Sequence, residues 1–304
     1  MFRGFALNRR HFLKLAPIPV LAALSPLAHA ENAQIIKDCR GRPVTLRPWQ
    51  RIAVIGGTLT ETLYALGASE RIIGVDSTAT WPKSALKEKP SFGYMRALAP
   101  EGILSLNPDL ILAIDDAGPI ATMDQLIASR IPVFFIEKTP SPEAVDRRTR
   151  LLAKLVQKTN EGEQLCREID TSWNRLSQWR GAHTGTKKIL FILHVANGRP
   201  VVAGRHTAAE QIIHLAGGKL VTEEIEGYKT LNSEAITTLQ PDIILTMTEN
   251  EQPTRQLIAH DPAFRLTPAG QKNLVIAMEG ERLLGFGPRT ADAALELAQI
   301  LSRA

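Results

Sequence analysis

Short runs with almost no polar residue punctuate the chain: RIAVI at 51–55, LILAI at 110–114, VFFI at 133–136, ILFIL at 189–193 and IILT at 243–246. Apolar runs of this length without alternation, bounded by Gly, Pro or Asn, read as strands covered on both faces. Further strands are expected at Arg71 to Val75, near Val201-Val202, at Leu220-Val221 and at Leu274 to Ala277, and Ile35 to Leu46 reads as a hairpin turning near Arg40-Gly41-Arg42. Between the strands the apolar spacing becomes helical: from Thr58, Glu101 to Leu106, Met123 to Ser129, Ala208 to Leu215, Ser233 to Leu239, around Arg255 to Ile258, and Ala291 to Leu301. Glu61, three residues after Thr58, makes a capping-box pattern. Strand and helix alternate with short connections, which implies mostly parallel sheets covered by helices.

The alternation stops from Pro142 to Arg180. There Val145, Leu151, Leu152, Leu155, Leu165, Ile169, Trp173 and Leu176 keep helical spacing, with Thr159-Asn160 as the place for an interruption. On either side of this segment the same text is written twice. TLTETLYALGA (58–68) is matched by TAAEQIIHLAG (207–217), and EGILSLNPDLILA (101–113) by EAITTLQPDIILT (234–246), in the same order. A duplicated unit implies two similar lobes, and the seam between two lobes is a natural ligand cleft. The expected architecture is α/β: two Rossmann-like lobes with mostly parallel sheets (31–141 and 181–304) joined by one long helical bridge (142–180).

Composition changes the picture at the N-terminus. Arg3, Arg9, Arg10 and Lys14 precede an apolar stretch from Leu15 to Leu27, and Ala28-His29-Ala30 is a small-x-small cleavage site. Residues 1–30 therefore read as a secretory signal peptide, too short and too Pro-interrupted to span a membrane. Arg9-Arg10-His11-Phe12-Leu13-Lys14 resembles a twin-arginine export signal, and an ordinary secretory signal is the alternative. Export would remove four basic and no acidic residues from totals of 36 and 31, leaving a net charge of +1. No basic stripe interleaved with aromatics remains, so nucleic acid is not an expected partner. No cysteine stands at the cleavage site to carry a lipid anchor. Cys39 and Cys166 have no metal-type spacing, and the sequence leaves open whether they pair.

In open parallel sheets, ligands gather beyond the carboxyl ends of the strands. The segments there are Gly56-Gly57-Thr58, Phe92 to Arg96, Asp115-Asp116, His194 to Arg199, Gly204 to Thr207, Gly227 to Thr230 and Gly285 to Gly287. Aligning the copies on Glu101 and Glu234 sets Met95-Arg96 against Tyr228-Lys229, so each lobe offers a tyrosine and a cation on an equivalent loop. In an extended loop Tyr94 and Arg96, two apart, would face the same way. A guanidinium beside a phenol favours the phenolate, a hard oxygen donor suited to ferric iron, and tyrosine is a known haem ligand. A surface Tyr packed on an Arg is the plainer reading of the same spacing. Tyr64, the third tyrosine, falls on the apolar side of a helix.

The combination of signal peptide, GGTLTETLYALGA, FGYMRALAPEGILSLNPDLIL, helical bridge, VVAGRHTAAEQIIHLAGG and LQPDIIL resembles the periplasmic substrate-binding proteins of bacterial haem ABC importers, a class III substrate-binding fold. The likeness spans about residues 33–304, and GYMRAL (93–98) is its haem-specific part. It implies a monomer that takes ferric haem, one or two per chain, and delivers it to a membrane-embedded permease dimer with its ATPase. Tyr94 would be the axial ligand and Arg96 would hold the phenolate. His194 is the candidate second ligand, and His206 the next. Arg199, Arg205 and Lys229 could pair with propionates, Tyr228 would face Tyr94, and Met95, Leu98, Leu231 and Phe286 would supply apolar walls. Glu61 and Glu210, equivalent in the two copies, would present one docking carboxylate per lobe to the permease, although each is also placed to offset a helix dipole. A ferric-siderophore or cobalamin carrier of the same fold is the alternative. No nucleophile elbow, P-loop, HExxH or GxGxxG is present, so no enzyme is expected.

Overall fold

The structure, a computed structural model, describes residues 34–304; the expected export signal lies outside the described residues. β1 (Ile35–Lys37) and β2 (Pro43–Thr45) form the expected antiparallel hairpin. β3 (Ile52–Ile55), α1 (Gly57–Ala65), β4 (Ile72–Val75), α2 (Ala85–Glu88), α3 (Pro100–Leu104), β5 (Leu110–Ile114), α4 (Ile120–Ala128) and β6 (Val133–Ile136) build the first lobe. Its sheet runs β4-β3-β5-β6, all parallel. β3, β5 and β6 are buried at every position, as their unbroken apolar runs require. Burying each Leu, Ile or Phe of these strands contributes roughly 1.5–3 kcal/mol.

The bridge is two helices, α5 (Pro142–Leu155) and α6 (Thr159–Ala182). Ser141 caps α5 by accepting from the Ala144 N–H, and Pro142 takes the first position, where no N–H is needed. The break comes at Val156 to Lys158, with Gln157 at φ 55°, just ahead of the expected interruption; Thr159 opens the second helix instead of breaking the first. The two helices run antiparallel: Arg150 pairs with Glu163, and a Cβ on Gly162 would stand 2.4 Å from that of Ala153. Leu152, Ala153 and Leu155 pack into the first lobe's core, so α5 belongs there. At about 1.5 Å per residue, α6 spans about 36 Å. Its Leu165 touches both cores, and Ile169 and Leu176 enter the second.

The second lobe comprises β7 (Lys188–Ala196), β8 (Arg199–Ala203), α7 (Ala208–Ala216), β9 (Lys219–Leu220), β10 (Tyr228–Thr230), α8 (Ser233–Leu239), β11 (Ile243–Met247), α9 (Glu251–His260), α10 (Pro262–Arg265), α11 (Pro268–Gln271), β12 (Val275–Met278), α12 (Gly280–Leu284) and α13 (Thr290–Arg303). Parallel pairing orders four of these strands β9-β7-β11-β12, the same path as β4-β3-β5-β6, so the written repeat is also a structural one. This lobe adds something the repeat does not contain. β8 folds back antiparallel on β7, and β10, expected as a loop, pairs antiparallel with β8. Its sheet is therefore mixed. Cys39 and Cys166 are both free; burial pushes the Cys166 thiol up to about 12.

Candidate functional site

Between the lobes lies a cavity of about 940 Å³, at the upper end of the range for small-molecule sites. Each of the seven segments expected at the strand ends contributes to its lining.

On the first lobe the Phe92–Arg96 segment is pinned by backbone bonds. Phe92 N–H donates to Val75 O and Ser77 N–H to Gly93 O, which anchors the segment to the end of β4. Ala97 N–H donates to Tyr94 O at 2.8 Å, so residues 94–97 form a turn, not the extended stretch expected. The turn still brings the two side chains together: Arg96 Nη1 donates to Tyr94 Oη at 2.7 Å. Gly118 N–H donates to Met95 O, tying the turn to the loop after β5. That loop carries Asp116, whose Oδ2 accepts from Arg96 Nη2 at 2.5 Å and from Lys138 Nζ at 2.7 Å. Burial works against the Asp116 charge, but Lys138 and then Arg96 hold its carboxyl below the usual range. Burial likewise opposes the Arg96 charge, and Asp116 and Tyr94 more than offset it. Tyr94, at 46 % exposure, presents its ring to the cavity.

On the second lobe His194, His206, Thr207 and Tyr228 line the same cavity. Tyr228 is 37 % exposed, but its hydroxyl sits against the Thr207 side chain and the Ala209 N–H. Burial pushes this phenol up to about 12, partly offset by Arg96 across the cleft. His194 and His206 are both exposed; His206 stands at φ 60°, with Nδ1 3.4 Å from Glu226.

Arg199, Arg205 and Lys229 do not line the cavity. Lys229 follows Tyr228 in a strand, where successive side chains take opposite faces. Arg199 lies at the β7–β8 hairpin end, opposite Ala196. Arg205 is held at the turn into α7, its N–H donating to Ile225 O. Of the expected walls, only Met95 lines the cavity; Leu98, Leu231 and Phe286 are buried in the lobe cores, and Ile114, Leu193, Met247 and Leu284 take their place.

The two matched glutamates do not stand free for docking. Glu61 is 4 % exposed and receives Arg289 Nε and Nη2, both at 3.0 Å, from the other lobe. Glu210 is 7 % exposed; its Oε2 accepts from His206 N–H at 2.7 Å, beside the Thr207 cap of α7. The capping box written at Thr58 does not form, because α1 starts at Gly57 and takes Thr58 and Glu61 into its body.

Glu61 belongs to a polar seam that joins the lobes. Thr80 N–H donates to Glu281 Oε2 at 3.0 Å, Arg289 lies 3.6 Å from Glu279 and 4.2 Å above the Trp81 ring, and Arg148 Nη2 donates to Phe286 O at 2.7 Å. Gly57 makes the approach possible: a Cβ there would stand 2.3 Å from Glu281 Oε1. Burial, with Glu61 and Asp76 adding, pushes the Glu281 carboxyl well above the usual range despite its bonds from Thr80. Lys138, Glu249 and Glu281 also line the cavity and follow β6, β11 and β12 within three residues, so the strand-end rule reaches them too; Arg289 carries no local signal.

Two α/β lobes around a ligand-sized cleft, crossed by a long helix, define a solute-binding protein. The family model for "Periplasmic binding protein" matches residues 52–281, and the chain belongs to that family. Among solved structures the chain is similar to the periplasmic heme-binding protein RhuT from Roseiflexus sp. RS-1 in apo form: 32 % identity, TM-score 0.80, 84 % of this chain and 98 % of that one covered. It is also similar to the periplasmic heme-binding protein BhuT in complex with two hemes: 33 % identity, TM-score 0.79, with 83 % and 98 % covered. A Vitamin B12-binding protein of Yersinia pestis (strain Pestoides F) is 24 % identical over 197 residues, 64 % of this chain and 69 % of the relative.

Proposed function

We propose that the protein captures ferric haem in the interlobe cleft, with Tyr94 as the oxygen ligand to iron, and delivers it in the periplasm to an ABC permease. The observation that carries this reading is the Arg96 Nη1 to Tyr94 Oη bond of 2.7 Å at an exposed phenol on the wall of the cleft. The bond holds that oxygen in place on the cleft wall, and a tyrosine oxygen is a known ligand of haem iron. Met95, Ile114, Leu193, Met247 and Leu284 offer apolar surface to a macrocycle. The likeness to haem-binding structures covers more of the chain at higher identity than the likeness to the vitamin B12-binding relative, which favours haem over cobalamin. His194 and His206 line the same cavity from the other lobe, which supports a reading in which one of them ligates or flanks a second stacked haem. A docking role for Glu61 would require Arg289 to exchange for a cation of the permease.

Among the described residues no helix is long and apolar enough to cross a membrane, which is compatible with the proposed location. The test is a titration of the ligand-free protein with hemin, followed in the Soret and visible region, with cobalamin in parallel. Saturation at one or two hemins with an oxygen-ligated ferric spectrum is expected. Saturable cobalamin binding without hemin binding would overturn the reading.

A further inference from the structure

We propose that Asp116 is the positioning residue that aims Arg96 at the Tyr94 oxygen, with Lys138 steadying Asp116; this rests on Tyr94 being the iron ligand. The Arg96 side chain is about half exposed. A long, exposed guanidinium holds no fixed direction by itself, and its planar fork must be gripped at more than one nitrogen to be oriented. Here Nη1 meets Tyr94 Oη and Nη2 meets Asp116 Oδ2, so the two acceptors fix the plane of the fork. Asp116 stands on a stiff support. Asp115 N–H donates to Ile136 O, Ala117 N–H to Ile114 O, and Gly118 N–H to Met95 O, which ties its loop to β5, β6 and the Tyr94 turn. Lys138, following β6, reaches the same Oδ2.

Once Tyr94 is a phenolate, the row Tyr94, Arg96, Asp116, Lys138 alternates in sign and sums to zero. Removing Asp116 leaves two cations facing each other without the anion between them, and Arg96 is free to turn to solvent. This makes the role separable from a plain charge effect. A carboxylate acting only by its charge disfavours a nearby phenolate, so its removal would strengthen iron ligation. A positioning carboxylate strengthens ligation through Arg96, so its removal weakens it.

The experiment uses the mature chain loaded with hemin and its variants Asp116→Asn, Asp116→Glu, Lys138→Met and Tyr94→Phe. The readouts are the low-pH midpoint at which the phenolate-ligated spectrum is lost and the hemin Kd at neutral pH; unfolding midpoints confirm folding. Asp116→Asn is expected to raise the acid midpoint by about one pH unit and to weaken binding about tenfold. Lys138→Met should move both in the same direction by about threefold in Kd, and Asp116→Glu should restore near-native values. An unchanged or lowered midpoint in both Asp116→Asn and Lys138→Met, with Tyr94→Phe losing the signature, overturns the role of Asp116 and leaves the haem reading standing. A Tyr94→Phe protein that keeps the signature overturns the ligand assignment and this inference with it.

Discussion

The two lobes follow the same path and hold their side chains differently at equivalent places. β4-β3-β5-β6 and β9-β7-β11-β12 are one topology used twice, with α1 matching α7 and α3 matching α8. Yet Tyr94 lies in a turn outside any strand, whereas Tyr228 lies in β10, against the added strand β8. A turn lets Tyr94 and Arg96 converge on one oxygen. A strand sends Tyr228 and Lys229 to opposite faces and tucks the Tyr228 hydroxyl away. The matched glutamates diverge in the same manner. α7 has a threonine cap that Glu210 supports locally, while α1 begins on glycine and releases Glu61 to reach Arg289 in the other lobe. Duplication supplied the residues, and backbone context decided what each one does.

The largest effect should come from breaking the asymmetry of the glutamates. Arg289→Ala strands a buried carboxylate and should cost roughly 3 kcal/mol, lowering the melting midpoint by roughly 8 °C. Glu210→Ala loses one local bond at a helix start and should cost about 1 kcal/mol. Equal losses in differential scanning calorimetry would erase the distinction between tie and cap. Next come the tyrosines. Tyr94→Phe should weaken hemin binding about a hundredfold, about 2.7 kcal/mol, and abolish the oxygen-ligated spectrum. Tyr228→Phe should keep that spectrum; if it is Tyr228→Phe that loses it, the ligand is on the wrong lobe.

The seam supplies a smaller, pH-dependent effect. Glu281 is neutral over a range in which a free glutamate is charged, so its favourable contribution is complete below the ordinary value of 4.5 and is lost as pH rises through its raised folded value. Glu61, Asp76, Glu279 and Arg289 surround it. Glu281→Gln cannot ionise, so its melting midpoint should gain on the native protein by about 2–3 °C between pH 5 and pH 8. A gain that shrinks over that interval would contradict a neutral Glu281. Smallest of all, Lys229→Ala should leave hemin affinity within about twofold, because an exposed charge off the cavity contributes little. A tenfold loss would return Lys229 to the site.

Most of the scaffold was legible because its signals are local. Unbroken apolar runs such as VFFI give buried parallel strands, and the repeat located the seam. The strand-end rule then found seven segments that all reach the cavity. The added pair β8 and β10 was only half seen: Tyr228–Thr230 has no apolar run, and its strand exists because β8 lies beside it. Leu98, Leu231 and Phe286 looked like walls because apolarity does not say which way a side chain points; each is in a core.

The sequence by itself determined the elements, their duplication and the placing of a phenol two residues from a guanidinium, since all three follow from spacing along the chain; the turn that joins that pair came from the fold. Only the tertiary structure decided that Asp116 and Lys138 complete that pair, that Arg289 claims Glu61, and that Glu281 is buried against the opposite lobe. Those contacts join residues 20 to 228 positions apart, and no periodicity in a chain reports which distant strand ends a fold will bring within a hydrogen bond of one another.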